Sequence, residues 1–422
     1  LAIPRELSAV PRLALAAPRA LTFSTAAILF LAAFASSAGW RAAFLIIAGL
    51  ALATRLRESL RILQDNVPRD VAFFGIAWIA ICAASTVWSI DPAYTLAQLK
   101  PEILYGSAAF AVFFIAAVSR PAAWAPWWAA LMAGAALAFA GRLLQDFLPF
   151  EISSHEVDGG VGAYSTHLVL VMPLLFALDW PRPWGRGHHP RALLVGLALV
   201  LAAAWYTGNR IVWLAFVAQL VVGMATWRKL PGTARERSAT LRRLAAVAAI
   251  AFAVAFAAAI AERYERDVLH DTGVPPGLEH DLRPRIWATA WDKLLEAPWL
   301  GHGFGREILG AAFEPLTPQR PNFPALRHAH NTFMDMALEV GAVGLAALLG
   351  LLLALARRYG AMLRDPRLAP LGMMGLALLA GFVVKNLTDD FLHRQNSLVF
   401  WALNATLLGL ARSAARADAQ AD

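Results

Sequence analysis

Stretches of about 20 apolar residues recur along this chain, each long enough to cross a hydrocarbon core of roughly 30 Å as a helix. Inside a bilayer the backbone must satisfy its own hydrogen bonds, so such runs specify helices and exclude open sheets. The 422 residues are 59% hydrophobic and 16% charged, with a mean hydropathy of +0.54, too apolar for a water-soluble globule. Twelve spans are predicted, at 21–38, 40–54, 71–88, 102–118, 122–141, 163–180, 191–207, 210–227, 243–261, 331–356, 369–387 and 395–412. The fold class is all-α: a polytopic membrane protein of about 12 transmembrane helices. No small-residue cleavage pattern follows the first run, so a retained first helix is expected.

Charge orients the bundle. With a cytoplasmic N-terminus, the even-numbered connections and both tails carry 23 of the 37 Lys and Arg residues, among them Arg55, Arg57, Arg61, Arg69, Arg120, Arg357, Arg358, Arg364 and Arg367. That bias puts both termini in the cytoplasm. The net charge of +8 is therefore mostly a topology signal, and with no soluble basic domain to hold nucleic acid, that function class is excluded. Cys82 is the only cysteine and lies within an apolar run, so intrachain disulfides and cysteine metal sites are excluded and a packing role is expected.

Function is then sought on the opposite side. The chain divides into 1–261 (helices one to nine), a large periplasmic helical loop at 262–330, and 331–422 (helices ten to twelve and the tail). Loops of that length are uncommon unless functional or disordered, and this one carries Trp287, Trp291, Trp299 and Phe304. A helix is predicted from near Pro284 to Ala297-Pro298, with Trp287, Trp291, Leu294 and Leu295 on one face and Arg285, Thr289, Asp292 and Glu296 on the other. It either lies on the outer leaflet or packs its tryptophans into a small cap. Gly301-His302-Gly303-Phe304-Gly305 follows a helix with no strand before it, which reads as turn chemistry and not as a nucleotide fingerprint.

Four outer-face clusters can carry chemistry. His330-Asn331 stands at the mouth of helix ten, where the helix dipole favours a neutral, proton-accepting imidazole; a structural hydrogen bond is the plainer role. In Thr207-Gly208-Asn209-Arg210, Arg210 opens an apolar helix on the arginine-poor side, to meet an anionic ligand or to snorkel to headgroups. Arg283 and Arg285 begin the loop helix and suit phosphate, although Arg285 also has Asp292 as a surface partner. Lys385 to Arg394 brings Asp389 and Asp390 beside basic residues, to bind metal, to orient a histidine or to stand as solvated loop charge. No zinc spacing is present, since His328 and His330 lack HExxH or cysteine partners.

With these residues in place, the chain resembles the O-antigen ligase family, within the superfamily that also holds O-antigen polymerases and protein O-oligosaccharyltransferases. The resemblance rests on the overall layout and on His330-Asn331 followed by Gly341 and Gly344. Thr207-Gly208-Asn209-Arg210 and Arg283-x-x-x-Trp287 with Pro298-x-x-Gly301-x-Gly303 add to it. It implies a glycosyltransferase-C-like fold in the bacterial inner membrane, with the active site facing the periplasm. The implied reaction is metal-independent and inverting, with no cofactor, from an undecaprenyl-diphosphate-linked glycan to a lipid A–core sugar. His330 would be the base; Arg210, Arg283 and Arg285 would hold the donor diphosphate; Asn331, Trp287, Asp389 and Asp390 would support the site or contact the acceptor. The alternatives are a polymerase or a protein O-oligosaccharyltransferase of the same superfamily, or a lipid or glycan transporter. Helix interiors nearly free of ionisable residues argue against transport.

Overall fold

The computed structural model describes residues 18–145, 160–179, 190–227, 283–308 and 328–419, with isolated positions besides. The predicted span 243–261 and the remainder of the 262–330 loop lie outside them. Among the described residues every regular element is helical. The first half holds α1 (Pro18–Leu31), α2 (Ala38–Ala53), α3 (Leu56–Asn66), α4 (Arg69–Ala84), α5 (Pro92–Gln98), α6 (Tyr105–Ser119) and α7 (Trp124–Gln145). The second holds α8 (Val161–Val171), α9 (Pro190–Thr207), α10 (Ile211–Trp227), α11 (Arg283–Glu296), α12 (Thr332–Met362), α13 (Ala369–Asn386) and α14 (Arg394–Ala419).

Among the described residues seven helical stretches are long and apolar enough to span a bilayer: α2, α4, the α5–α6 rod, α7, α12, α13 and α14. The remaining predicted spans among the described residues coincide with α1, α8, α9 and α10, which are apolar but shorter. The chain is a multi-pass membrane protein. Arg358, near the end of α12, pairs with Asp70 at 2.7 Å, and Arg412 of α14 donates to the Asn66 carbonyl at 3.0 Å. Within the α5–α6 rod a π-helical turn, Leu99–Leu104, absorbs Pro101 and places Glu102 in the interior.

α12 is broken in its N-terminal third. Val340 (φ −127°, ψ 15°) and Gly341 (φ 68°, ψ −174°) leave helical geometry, which frees carbonyls on one side of the break and amides on the other. The glycine loop supplies the partners. His302 and Gly303 donate their amides to the Leu338 and Glu339 carbonyls, each at 2.9 Å. Ala342 and Val343 donate to the Pro298 and Trp299 carbonyls at 2.9 and 3.3 Å. The irregular backbone persists because the glycine loop satisfies its exposed amides and carbonyls. Gly301, Gly303 and Gly305 all adopt positive φ. The run is thus more than a turn, being shaped to dock, backbone against backbone, into a split helix.

This docking also fixes α11 on α12, through a small core of Ile286, Ala290, Ile308, Ala329 and Leu338 with Trp287 and Leu294 packed against it. Trp291 and Leu295, expected on the same face as Trp287, are instead exposed. The helix turns its smaller apolar side chains inward because the α12 surface comes close. Trp299 and Leu300 join Trp291 and Leu295 as an exposed apolar rim on this end of the bundle.

Candidate active site

Asn331 caps α12. Its Oδ1 accepts from the amides of Phe333 (3.0 Å) and Met334 (3.1 Å), satisfying two donors that the first helical turn leaves open. Its Nδ2 donates to the Leu387 carbonyl at 3.0 Å, tying the cap to the α13–α14 link. Thr332 strengthens that tie, its hydroxyl lying 2.8 Å from Asn386 Oδ1 and 3.0 Å from Asp390 Oδ1. His330, one residue ahead of the cap, sits in the left-handed region with φ 52°. Such a conformation persists in a β-carbon-bearing residue only where its surroundings hold it. Here Trp287 Nε1 donates to the Ala329 carbonyl at 2.9 Å, and the Ala329 amide donates to Asp335 Oδ1 at 2.7 Å.

Other predicted clusters converge on this point. Asn209, in the α9–α10 link, donates from Nδ2 to Ser165 Oγ at 3.0 Å and lies 3.5 Å from Asp389 Oδ2. That brings the segment carrying Arg210 to the α13–α14 link. Asp389 forms a buried ion pair with Lys385, whose ammonium lies 4.9 Å from the centre of the Phe391 ring. Arg283 is close enough for its charge to act on His330. The Arg285 side chain, and with it the expected pairing to Asp292, lies outside the described residues.

Burial is the main cause that lowers the His330 pKa from its ordinary value, since a charged imidazole loses its hydration there. Asp389 opposes that shift, Arg306 and Arg283 add to it, and Asp390 opposes it again. His330 is therefore neutral around pH 7, chiefly through desolvation. His328 and His393 are depressed too, first by burial and then by Arg306.

Sequence reasoning did not reach Arg306, which organises this centre, nor the carboxylates beneath it. Arg306 Nε lies 2.7 Å from Asp390, Nη2 lies 3.0 Å from His328 Nε2, and Nη1 lies 3.2 Å from His393 Nε2. Glu102, Asp335 and Glu339 are buried around a cavity of about 10 Å³ that Arg306 and Asp390 also line, a space the size of a water molecule. Ionisable residues inside apolar runs, Glu102, Asp335 and Glu339 among them, are the signal that could have found the carboxylates; the helix interiors hold more buried charge than the sequence reading expected. His328, Asp335 and Asp390 offer ligand atoms within 4.8 Å of one another, a spacing able to hold a metal ion. The guanidinium of Arg306 already sits against two of those three residues and supplies the positive charge.

The arrangement offers a neutral imidazole at the mouth of a membrane helix, with arginines on the same end of the bundle. It suits removal of a proton from a hydroxyl while anionic charge develops nearby. Residues 192–349 match the family model described as O-antigen ligase, a match that takes in Arg210, Arg283, Arg285, Arg306, His330 and Asn331. Asp389, Asp390 and His393 lie beyond it. No curated protein matches the chain.

Proposed function

This chain belongs, through residues 192–349, to the O-antigen ligase family, and we propose that it acts as the ligase itself. In this reading it transfers a polysaccharide from undecaprenyl diphosphate to a sugar of lipid A–core at the periplasmic face of the bacterial inner membrane. The observation that carries the proposal is a half-buried, neutral His330 held in strained backbone at the capped start of α12, within electrostatic reach of Arg283.

No nucleotide sugar is available outside the cytoplasmic membrane, so the lipid diphosphate must activate the sugar. The acceptor hydroxyl attacks the anomeric carbon from the face opposite the diphosphate; His330 takes the hydroxyl proton as the new C–O bond forms. The bond to the diphosphate oxygen breaks with inversion, and its electron pair leaves with the lipid carrier. Arg210, Arg283 and Arg285 hold that departing anion, so neither a metal nor a separate acid is needed. Asn331 and Trp287 fix the backbone on either side of His330, while Asp389 and Asp390 anchor the α13–α14 link beneath it.

Glycan transfer from a radiolabelled lipid donor in reconstituted membranes tests this directly. His330→Ala should fold and lose transfer; near-wild-type transfer by that variant removes the base assignment. Arg210→Ala and Arg283→Ala should weaken use of the donor more than of the acceptor. The lipopolysaccharide ladder of a deletion strain separates the superfamily's activities. Loss of every polymer band attached to core marks a ligase, whereas a single-repeat band marks a polymerase. A protein that loses its glycan marks an O-oligosaccharyltransferase.

A further inference from the structure

Arg306 touches two histidines and an aspartate, yet none of the chemistry proposed above uses it. Its position is fixed from both sides. The Gly305 amide donates to Glu339 Oε2 at 3.1 Å, and the Glu307 amide donates to Tyr94 Oη at 3.1 Å. Guanidinium is a donor only and stays charged at any pH a protein meets. Its contacts with His328 Nε2 (3.0 Å) and His393 Nε2 (3.2 Å) therefore run from N–H to a ring lone pair. An imidazole has a lone pair at Nε2 only when it is neutral with its proton on Nδ1. An imidazolium would turn an N–H toward the guanidinium and add like-charge repulsion.

We infer that Arg306 is a positioning residue: it locks His328 and His393 as neutral Nδ1–H tautomers and leaves His330 as the imidazole of this cluster that takes the acceptor proton. The inference rests on the ligase reading for its catalytic consequence, although the tautomers themselves do not. Nη1 and Nη2 each meet a ring nitrogen and Nε lies 2.7 Å from Asp390 Oδ2 as an ion pair, so the guanidinium is committed to its neighbours and is not one of the groups assigned to the donor diphosphate. In the Nδ1–H form, His328 directs its proton toward Asp335 Oδ2, 4.0 Å away, an oxygen otherwise without a hydrogen bond among the described residues. The His330 amide also approaches His328 Nδ1, at 3.3 Å, but it is a longer contact from a neutral donor than the 3.0 Å guanidinium contact at Nε2, and the charged donor decides which nitrogen keeps its lone pair. The His328 ring, 4.1 Å centre to centre from that of His330, becomes a fixed neutral wall beside the base.

Histidine-selective ¹⁵N NMR of the full-length protein in lipid nanodiscs reads the tautomers without any substrate. His328→Asn and His393→Asn spectra identify the two signals. The expected wild-type pattern is a protonated Nδ1 and an unprotonated Nε2 at both residues, replaced in Arg306→Ala by fast-exchanging averages. In the transfer assay Arg306→Ala should lower kcat about 100-fold, the scale of a catalytic group displaced by an ångström. KM for the lipid donor should change less than about twofold, because uniform donor binding is untouched. Arg306→Lys should recover only part of kcat, since an ammonium cannot span two imidazoles and a carboxylate as a planar fork does. Wild-type spectra with Nε2–H or imidazolium at His328 and His393 overturn the inference even if Arg306→Ala does not fold. A raised donor KM with kcat kept also overturns it, by putting the guanidinium on the diphosphate. An inactive wild-type protein with the expected spectra would remove the ligase reading and leave the tautomer lock standing.

Discussion

At the scale of single residues, the neutral His330 makes the pH response predictable. A general base works only while unprotonated, and desolvation has lowered the pH at which His330 takes up its proton. Transfer should therefore persist as pH falls through about 6.5, the ordinary imidazole value, and fail only below it. A pH profile of kcat/KM for wild type, with an acid limb below that value, is the expected result; a limb at or above it would count against His330 as the base. Stability should follow the same histidines. His328, His330 and His393 are neutral when folded but bind protons near pH 6.5 when unfolded, so stability is complete above that pH and declines beneath it. Thermal-melting midpoints measured across the same range test it. The Lys385–Asp389 pair is a third residue-scale case, since Lys385 is fully buried. Lys385→Met strands a carboxylate and should cost about 3–5 kcal/mol, whereas Lys385→Met with Asp389→Leu should recover much of that loss. Equal melting points for the single and double variants would show that Asp389 finds water instead.

At the scale of elements, the break in α12 explains the glycines after His330. A β-carbon on Gly341 would run into the Trp299 carbonyl, and its φ of 68° already disfavours any other residue. Gly341→Ala should therefore cost at least about 2 kcal/mol and release the glycine loop. Gly360 lies near the other end of the same helix, where an added β-carbon would meet nothing within 4 Å, so Gly360→Ala should stabilise by up to about 1 kcal/mol. Thermal inactivation of the two variants side by side is the measurement, and equal midpoints would contradict the docking of loop into helix. The limits of α11 were readable from Pro284 and Ala297-Pro298, because proline chemistry is local. Its buried face was not, since Ile286 and Ala290 turn inward only to meet α12. The break was invisible for the same reason: the bonds that satisfy it come from a loop well upstream in the chain.

At the scale of the whole molecule, the apolar runs carried most of the helical architecture, because bilayer thickness acts on each segment separately. The buried cluster around Arg306 was hidden because its members come from α11–α12, the π turn before α6 and the α13–α14 link, and each looks like isolated charge until those meet. Both features depend on one orientation. If the arginine-rich end faces the cytoplasm, α11 and His330 face the compartment where lipid-linked glycans accumulate, and the proposed substrates can reach them. Cys82 is fully buried, so the native thiol contributes little background to maleimide labelling. In a Cys82→Ser background, Asp292→Cys on exposed α11 should react with a membrane-impermeant maleimide in intact cells whose outer membrane has been opened. Arg61→Cys on exposed α3 should react only after the inner membrane is permeabilised. The reverse pattern would put His330 in the cytoplasm, away from both proposed substrates, and would remove the ligase reading at once, whatever the histidine chemistry.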